Sequence, residues 1–248
     1  MKKFVAPFIV CSLLSSAMFF SQAFAQEKTL VKVEDYKEVI RVACVGDSIT
    51  AGVGVKNGKL DAYPAQLDNM LGEKWSVKNF GVSGSTMLNK GDKPYQKEKA
   101  FQAAMNFKPN VVVIMLGTND TKPQNWKFKD EFAADTKNLL EKFAALESKP
   151  RLYIALPVPV PGAGNFGIND QGVQEEQPLI TAVAKEMGAA IIDLYTPLAD
   201  KPECFPDRVH PNTAGASVMA QTVYEALTGK KYEGSLPPAA KVTAGASK

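Results

Sequence analysis

The stretch that most constrains the fold is the continuous apolar run at residues 111–116, Val-Val-Val-Ile-Met-Leu. β-Branched residues dominate this run and no polar residue alternates with them, so a strand formed by it is buried on both faces. Strands of that kind are typical of parallel sheets that helices cover from either side. The run therefore predicts a central parallel strand of an α/β domain.

Four further short apolar runs predict the rest of the sheet, and segments with helical spacing separate them. The predicted strands lie at about 41–45, 75–80, 111–116, 152–156 and 190–194, and the predicted helices at about 63–71, 97–107, 128–146, 173–187 and 213–227. Five strands that alternate with helices predict a single α/β domain with a five-stranded parallel sheet. The order of the strands stays open, although right-handed crossovers restrict it.

Three of the predicted strands end in loops of small polar residues. Gly-Asp-Ser follows the first strand at 46–48, a Gly- and Ser-rich loop follows the second at 81–86, and Gly-Thr-Asn-Asp follows the third at 117–120. The carboxyl ends of parallel strands meet at one edge of the sheet, which is where open α/β sheets bind ligands. Taken alone, the segment 46–48 is equally typical of a turn followed by a helix N-cap.

His210 is the only histidine in the chain, so it is the only candidate for an imidazole general base. It follows Asp207 by three residues and directly precedes Pro211, which suits the first position of a helix. A serine hydroxyl is a weak nucleophile that needs a base, and the base needs an orienting carboxylate. We interpret Ser48 as the nucleophile, His210 as its base and Asp207 as the partner of the imidazole. The competing interpretation is that His210 is an ordinary surface or core residue.

An ester hydrolase also needs hydrogen-bond donors aimed at the oxyanion that forms when the nucleophile attacks. The candidates are the backbone N–H of Ser48, the backbone N–H of Gly84 and the side-chain amide of Asn119. A second Gly-Ile-Asn-Asp segment at 167–170 has the spacing of 117–120, but it does not follow a buried strand. We therefore assign Asn119 and treat Asn169 as a loop residue.

Four segments together resemble the motif blocks of the SGNH (GDSL-type) esterase and acetylhydrolase family. They are the segments 46–50, 79–84, 117–120 and 207–210, in the same order as in the family, and the resemblance covers about residues 40–228. Ile49 stands where the lipase-like branch has leucine. The resemblance implies a flavodoxin-like three-layer α/β/α fold and no metal or other cofactor. It also implies the same roles for Ser48, Gly84, Asn119, Asp207 and His210.

Asp47 and Asp120 lie within two of these segments, and each admits two interpretations. A carboxylate pair can act in acid–base chemistry or bind a metal, but a metal site usually has more ligands than this chain offers. We expect instead that both carboxylates accept hydrogen bonds from neighbouring backbone N–H groups and brace the loops.

Four aromatic residues fall in or near the predicted loops of the active edge: Tyr63, Tyr95, Trp126 and Phe166. Each is a candidate to contact a sugar or an acyl group, and ordinary packing is the alternative. No long apolar lid is apparent, which favours a short acyl group such as acetyl. The chain resembles exported bacterial sialate or carbohydrate O-acetylesterases in its segments around 93–95, 119–126 and 157–166. We therefore expect a glycan O-acetyl ester as substrate.

Two other functions stay open. A lysophospholipase or thioesterase of the same family would have the same catalytic residues and prefer longer acyl chains. A carbohydrate-binding module with a relic site would keep the fold without turnover.

The N-terminal residues 1–25 predict a secretory signal peptide, since Lys2 and Lys3 precede an apolar stretch and Ala-Phe-Ala at 23–25 precedes the expected cleavage site. We expect a lead-in at 26–39, the hydrolase domain at 40–228 and a flexible tail at 229–248. The protein is then periplasmic or secreted. A retained membrane anchor is disfavoured because serines interrupt the short apolar stretch.

The charge balance disfavours nucleic acid and anionic membranes as partners. The formal net charge is +3, and it falls to +1 when the two lysines of the signal peptide are removed. This balance makes no electrostatic case for nucleic acid or an anionic membrane. Cys44 and Cys204 remain, and export would permit a disulfide. Cys44 in a strand is more typical of a small buried apolar residue.

Overall fold

The computed structural model describes residues 30–234, which contain a five-stranded sheet. All of its neighbouring strands are parallel, and their order is β2-β1-β3-β4-β5. The strands are β1 (Ile40–Gly46), β2 (Trp75–Gly81), β3 (Val111–Met115), β4 (Arg151–Leu156) and β5 (Ala190–Asp193). This is the flavodoxin-like order. It confirms the predicted fold class and supplies the strand order that the sequence left open.

Eight α-helices connect and flank the strands within residues 30–234. They are α1 (Ser48–Ala51), α2 (Gly58–Asp61), α3 (Tyr63–Leu71), α4 (Lys99–Asn106), α5 (Pro123–Trp126), α6 (Phe132–Ala144), α7 (Asp170–Met187) and α8 (Thr213–Thr228). The short helices α1, α2 and α5 were not predicted, since four residues are too few to show a helical period. The segment predicted as a helix from 128 begins with a 3-10 turn, and its α-helix starts at Phe132.

The strands separate two apolar layers because alternate side chains point to opposite faces of a sheet. Val42, Cys44 and Val113 face the layer that contains α3 and α8. Ala43 and Val112 face the layer that contains α4, α6 and α7. All five residues of β3 are buried, as its sequence predicts. The sheet is therefore a rigid central layer whose carboxyl edge positions the loops.

Helix α7 begins three residues earlier than its apolar spacing predicts. The side chain of Asn169 accepts a hydrogen bond from the N–H of Gly172 at 2.9 Å and so caps the helix. Asn169 is thus an N-cap, which agrees with excluding it from the candidate site.

Cys44 and Cys204 are both free and buried, so the alternative of a disulfide between them is wrong. Burial raises the pKa of the Cys44 thiol to about 12, as expected for an apolar core residue. At the start of the described chain, the N–H of Val31 donates to the carbonyl of Leu227 at 2.8 Å. The predicted signal peptide lies outside the described residues. Within residues 30–234, no helix is both long and apolar enough to cross a membrane.

The end of β2 lies directly against the backbone that carries α1. A methyl group on Gly81 would lie 2.3 Å from the backbone nitrogen of Ala51 and 2.8 Å from the carbonyl oxygen of Asp47. By contrast, the nearest atom to a methyl group on Gly58 would be 3.7 Å away. Only glycine lets β2 and α1 approach this closely.

We therefore predict that Gly81→Ala lowers the free energy of unfolding by about 1–3 kcal/mol, because overpacking must displace backbone. Gly58→Ala is the matched control and should change stability by less than about 1 kcal/mol. Urea unfolding of the two variants measures the difference. Equal stability of Gly81→Ala and wild type would contradict the close packing of α1 on β2.

Candidate active site

Ser48 lies at the carboxyl end of β1, in the first turn of α1. The preceding residue, Asp47, is the N-cap, and its carboxylate accepts a hydrogen bond from the N–H of Ile49 at 2.9 Å. Ser48 is 8% exposed, so it is largely buried in the turn that carries it. The side chain of Asn79 in β2 donates to the carbonyl of Thr50 in α1 at 2.6 Å, and this bond holds α1 against β2.

The structure brings Ser48 and His210 together, although 162 positions separate them. The distance between Ser48 Oγ and His210 Nε2 is 2.9 Å, and that between His210 Nδ1 and Asp207 Oδ2 is 2.7 Å. The other carboxylate oxygen of Asp207 accepts the N–H groups of Val209 at 3.0 Å and His210 at 2.7 Å. One carboxylate thus orients the ring and also shapes the turn that carries it.

The hydrogen bonds keep Asp207 ionised. Partial burial by itself would raise the pKa of its carboxyl group, but the N–H of His210, its imidazole and the N–H of Val209 together hold that pKa below its usual range. An ionised Asp207 favours the imidazole tautomer with its proton on Nδ1, which leaves Nε2 free to accept the Ser48 proton. The arrangement can therefore activate a serine hydroxyl.

The three predicted oxyanion donors line the same edge of the sheet. Gly84 lies in the loop after β2 with a left-handed φ of +83°. Within residues 30–234, the N–H groups of Ser48 and Gly84 donate no hydrogen bond to another protein group. Asn119 Nδ2 donates to the carbonyl of Ser85 at 3.1 Å and makes a longer contact of 3.4 Å with Asp47 Oδ2. The contact with Asp47 is the weaker of the two, because its distance lies beyond the usual range for an N–H···O hydrogen bond.

Asp47 and Asp120 brace the loops, as predicted. Asp120 accepts the N–H groups of Met87 at 2.9 Å and Leu88 at 2.7 Å, one on each carboxylate oxygen. Both aspartates are fully buried. Burial raises the pKa of Asp120 to about 8 and that of Asp47 to about 6, although their backbone hydrogen bonds oppose the rise. In the described part of the chain, no three His, Cys, Asp or Glu residues are grouped to bind a metal.

Of the four aromatic candidates, Phe166 lies beside the site. Its ring centroid is 5.9 Å from that of His210, and 58% of the residue is exposed. Its φ of +55° is rare for a bulky residue, and such strain is typical of functional loops. The preceding Asn165 donates from Nδ2 to the carbonyl of Asp207 at 3.2 Å, which ties this loop to the turn of His210.

Tyr63 and Tyr95 pack inside the core, so their prediction as substrate contacts is corrected, whereas the half-buried Trp126 stays a candidate. Tyr63 and Tyr95 are each 1% exposed and belong to the two core layers. Tyr95 also donates to the carbonyl of Phe80 at 2.8 Å. The indole of Trp126 donates to Glu175 at 2.8 Å and packs edge-on against Phe132. Aromatic side chains near a loop are drawn into the core because they bury large apolar areas.

Glu176, which is fully buried in α7, was not predicted from the sequence as part of the site. In the sequence it stands among Gln174, Glu175 and Gln177, which suggest a solvated face. One signal was present: Glu176 follows Val173 by three positions and precedes Ile180 by four. That spacing places it on the apolar face of the helix.

A parallel α/β sheet with a serine, an imidazole and a carboxylate hydrogen-bonded in series at its carboxyl edge has the architecture of an ester hydrolase. Residues 44–218 match the GDSL-like lipase/acylhydrolase family. The chain belongs to this family, which confirms the resemblance found in the four motif segments.

Individual relatives agree with this class. The chain is 41% identical over 210 residues to an acetylxylan esterase from Xylanibacter ruminicola, an alignment that covers 77% of this chain but only 44% of that protein. Among solved structures, a putative arylesterase from Agrobacterium tumefaciens has a TM-score of 0.62 at 23% identity, covering 75% of this chain and 97% of the other. An acetylxylan esterase from Geobacillus stearothermophilus has a TM-score of 0.60 at 21% identity, covering 77% and 95%. These structures share the fold.

The buried aspartates predict that stability falls with rising pH. The pKa values of Asp47 and Asp120 are raised in the folded protein. The folded state therefore keeps protons on these two carboxyl groups at pH values above about 4, where the unfolded chain releases them. Their contribution is therefore complete at low pH and is lost as the pH rises through about 6 and about 8. We expect urea unfolding to show a loss of several kcal/mol between about pH 5 and 9, since each pH unit below a raised pKa corresponds to about 1.4 kcal/mol. Stability that rises across this range would contradict the assignment.

Proposed function

We propose that this protein is a serine esterase that removes acetyl groups from O-acetylated carbohydrates through an acetyl-Ser48 intermediate. The observation that carries the proposal is the continuous series of hydrogen bonds from Ser48 through His210 to Asp207, at 2.9 and 2.7 Å. Each group stands within the distance that proton transfer requires.

In the proposed reaction, Ser48 Oγ attacks the acetyl carbonyl carbon while His210 Nε2 takes the serine proton. The N–H groups of Ser48 and Gly84 and the amide of Asn119 stabilise the oxyanion of the tetrahedral intermediate. When the intermediate collapses, the sugar oxygen leaves and takes the proton from Nε2. A water molecule then attacks the acetyl-serine with the same base, and acetate and the free Ser48 hydroxyl result. Asp207 stays ionised and stabilises the imidazolium in both steps.

The substrate class rests on relatives and on the shape of the site. The curated relative at 41% identity is named an acetylxylan esterase, which supports an acetylated xylan over the acetylated sialic acid that the sequence alone suggested. Phe166 is an exposed aromatic ring beside the imidazole, and aromatic rings contribute the apolar area on which sugar faces pack. We therefore place acetylated xylo-oligosaccharides first among the candidates.

Two alternatives make different predictions. A lysophospholipase or thioesterase would turn over long acyl chains faster than acetyl, which a series of p-nitrophenyl esters of increasing chain length measures. A carbohydrate-binding relic would bind xylo-oligosaccharides and hydrolyse no ester of the series. The hydrogen bond between Ser48 and His210 favours turnover over the relic.

We predict that the wild-type protein releases acetate from acetylated xylo-oligosaccharides and that Ser48→Ala and His210→Ala lower kcat by roughly 10⁴- to 10⁶-fold. Asn119→Ala should keep residual activity, because loss of one oxyanion donor typically costs ~10²–10³ in kcat. Acetate release measures the rate, and circular dichroism confirms that the variants are folded. Full turnover by Ser48→Ala would reject the nucleophile.

Phe166→Ala should raise KM for acetylated xylo-oligosaccharides roughly 2- to 10-fold, as expected for the loss of one aromatic contact. The effect on p-nitrophenyl acetate should be smaller, since that ester has no sugar ring. Leu60→Ala is the matched control, because Leu60 is also an exposed apolar side chain and 63% of it is accessible. Equal losses on both substrates would contradict a sugar contact.

A further inference from the structure

Helix α7 contacts the turn at 117–121 through a single face. Asn169, Gly172 and Glu176 are spaced by three and four positions, so they lie one above another on the helix surface. The N–H of Asn169 donates to Thr121 Oγ1 at 3.2 Å, and its side-chain amide donates to the Thr121 carbonyl at 3.1 Å. The helix cap is thus bonded to the turn that follows β3.

The next two residues of that face pack against the same turn. A methyl group on Gly172 would lie 2.7 Å from Thr121 Cβ, so the helix backbone touches the end of the turn. A methyl group on Gly117 would lie 2.1 Å from Glu176 Oε2, so the carboxyl group touches its beginning. Gly117 also has a φ of +129°, a conformation that favours glycine. The turn is held against α7 at both ends.

Asn119 lies between these two points of contact. The N–H of Asp120 donates to the Gly117 carbonyl at 2.7 Å, and Thr121 Oγ1 donates to the Thr118 carbonyl at 2.9 Å. These two bonds link both ends of the turn to each other, so the position of Gly117 on α7 constrains the position of Asn119.

The surroundings of Glu176 require a neutral carboxylic acid. The residue is fully buried, and neither carboxyl oxygen has a hydrogen-bond partner within residues 30–234. Burial raises the pKa of Glu176 well above its usual range, and the charged groups that act on it, Asp120, Asp47 and Glu175, are all acidic and raise it further. An isolated buried carboxylate costs far more free energy than protonation does.

We propose that Glu176 is a positioning residue that, as a neutral carboxylic acid packed against Gly117, holds the turn that carries Asn119. This inference rests on the proposed function, in which Asn119 donates to the oxyanion. A neutral acid fills the space behind the turn without adding a second negative charge near Asp47, whose pKa of about 6 leaves it ionised at pH 7. A carboxylate at position 176 would be repelled by Asp47 and would have no hydrogen-bond donor to stabilise it within residues 30–234.

Two variants and a control test this role by steady-state kinetics on p-nitrophenyl acetate. Glu176→Gln keeps the shape of the neutral acid and should keep kcat within about threefold of wild type. Glu176→Ala removes the support of Gly117 and should lower kcat about 10- to 100-fold with little change in KM, because small misplacements of catalytic groups cost rates of that size. Glu186→Gln removes a carboxylate from the exposed surface of the same helix, where 57% of its side chain is accessible, and should leave kcat unchanged.

Infrared spectroscopy tests the protonation state independently of activity. The wild type at pH 7 should show the C=O band of a protonated carboxylic acid that Glu176→Gln lacks. The proposal is overturned if Glu176→Ala keeps full kcat, if Glu176→Gln loses as much kcat as Glu176→Ala, or if the band is absent. If Glu176→Ala does not fold, the kcat of Glu176→Gln and the infrared band of the wild type still test the proposal. An inactive wild type would remove the proposed function together with this role, whereas an active wild type with a fully active Glu176→Ala would remove the role alone.

Discussion

The hydrogen bond of 2.9 Å between Ser48 and His210 depends on two structural elements that lie 162 positions apart in the sequence. The parallel sheet fixes Ser48, since β1 is paired on both sides and its carboxyl end leads directly into α1. The turn before α8 fixes His210, because Asp207 accepts hydrogen bonds from the imidazole and from two backbone N–H groups. Val209 anchors this turn in a small apolar cluster with Val160, Ile168 and Val173. The distance between the two side chains is thus set by rigid elements on each side.

The site is surrounded by polar groups whose burial opposes folding. Asp47, Asp120 and Glu176 are fully buried, and burial raises the pKa of each. Two apolar layers on the faces of the sheet offset this cost. Buried carboxyl groups hold backbone N–H groups and turns in exact places, which is the property that oxyanion stabilisation demands. Helix α7 connects both halves of the site: it supports the Asn119 turn through Glu176 and the His210 turn through Val173.

The sheet and most longer helices could be predicted from the sequence. Continuous apolar runs such as that of β3 indicate buried strands, and the regular spacing of apolar residues indicates helices. The strand order could not, since pairing depends on contacts between segments far apart in the chain. The grouping of Ser48, Asp207 and His210 could be predicted because each role requires a particular residue type. Tyr63 and Tyr95 were assigned wrongly, because an aromatic side chain is equally suited to packing and to binding. Glu176 was missed, since local composition conceals which of several acidic residues faces inward.

The central claim is that His210 activates Ser48, and covalent labelling with diethyl p-nitrophenyl phosphate tests it most directly. This reagent phosphorylates a serine in proportion to its nucleophilicity, and mass spectrometry of the digested protein locates the adduct. We predict one adduct, on Ser48, that forms rapidly in the wild type and only at a trace rate in His210→Ala. An adduct on another residue, or equal labelling of Ser48 in both proteins, would contradict it.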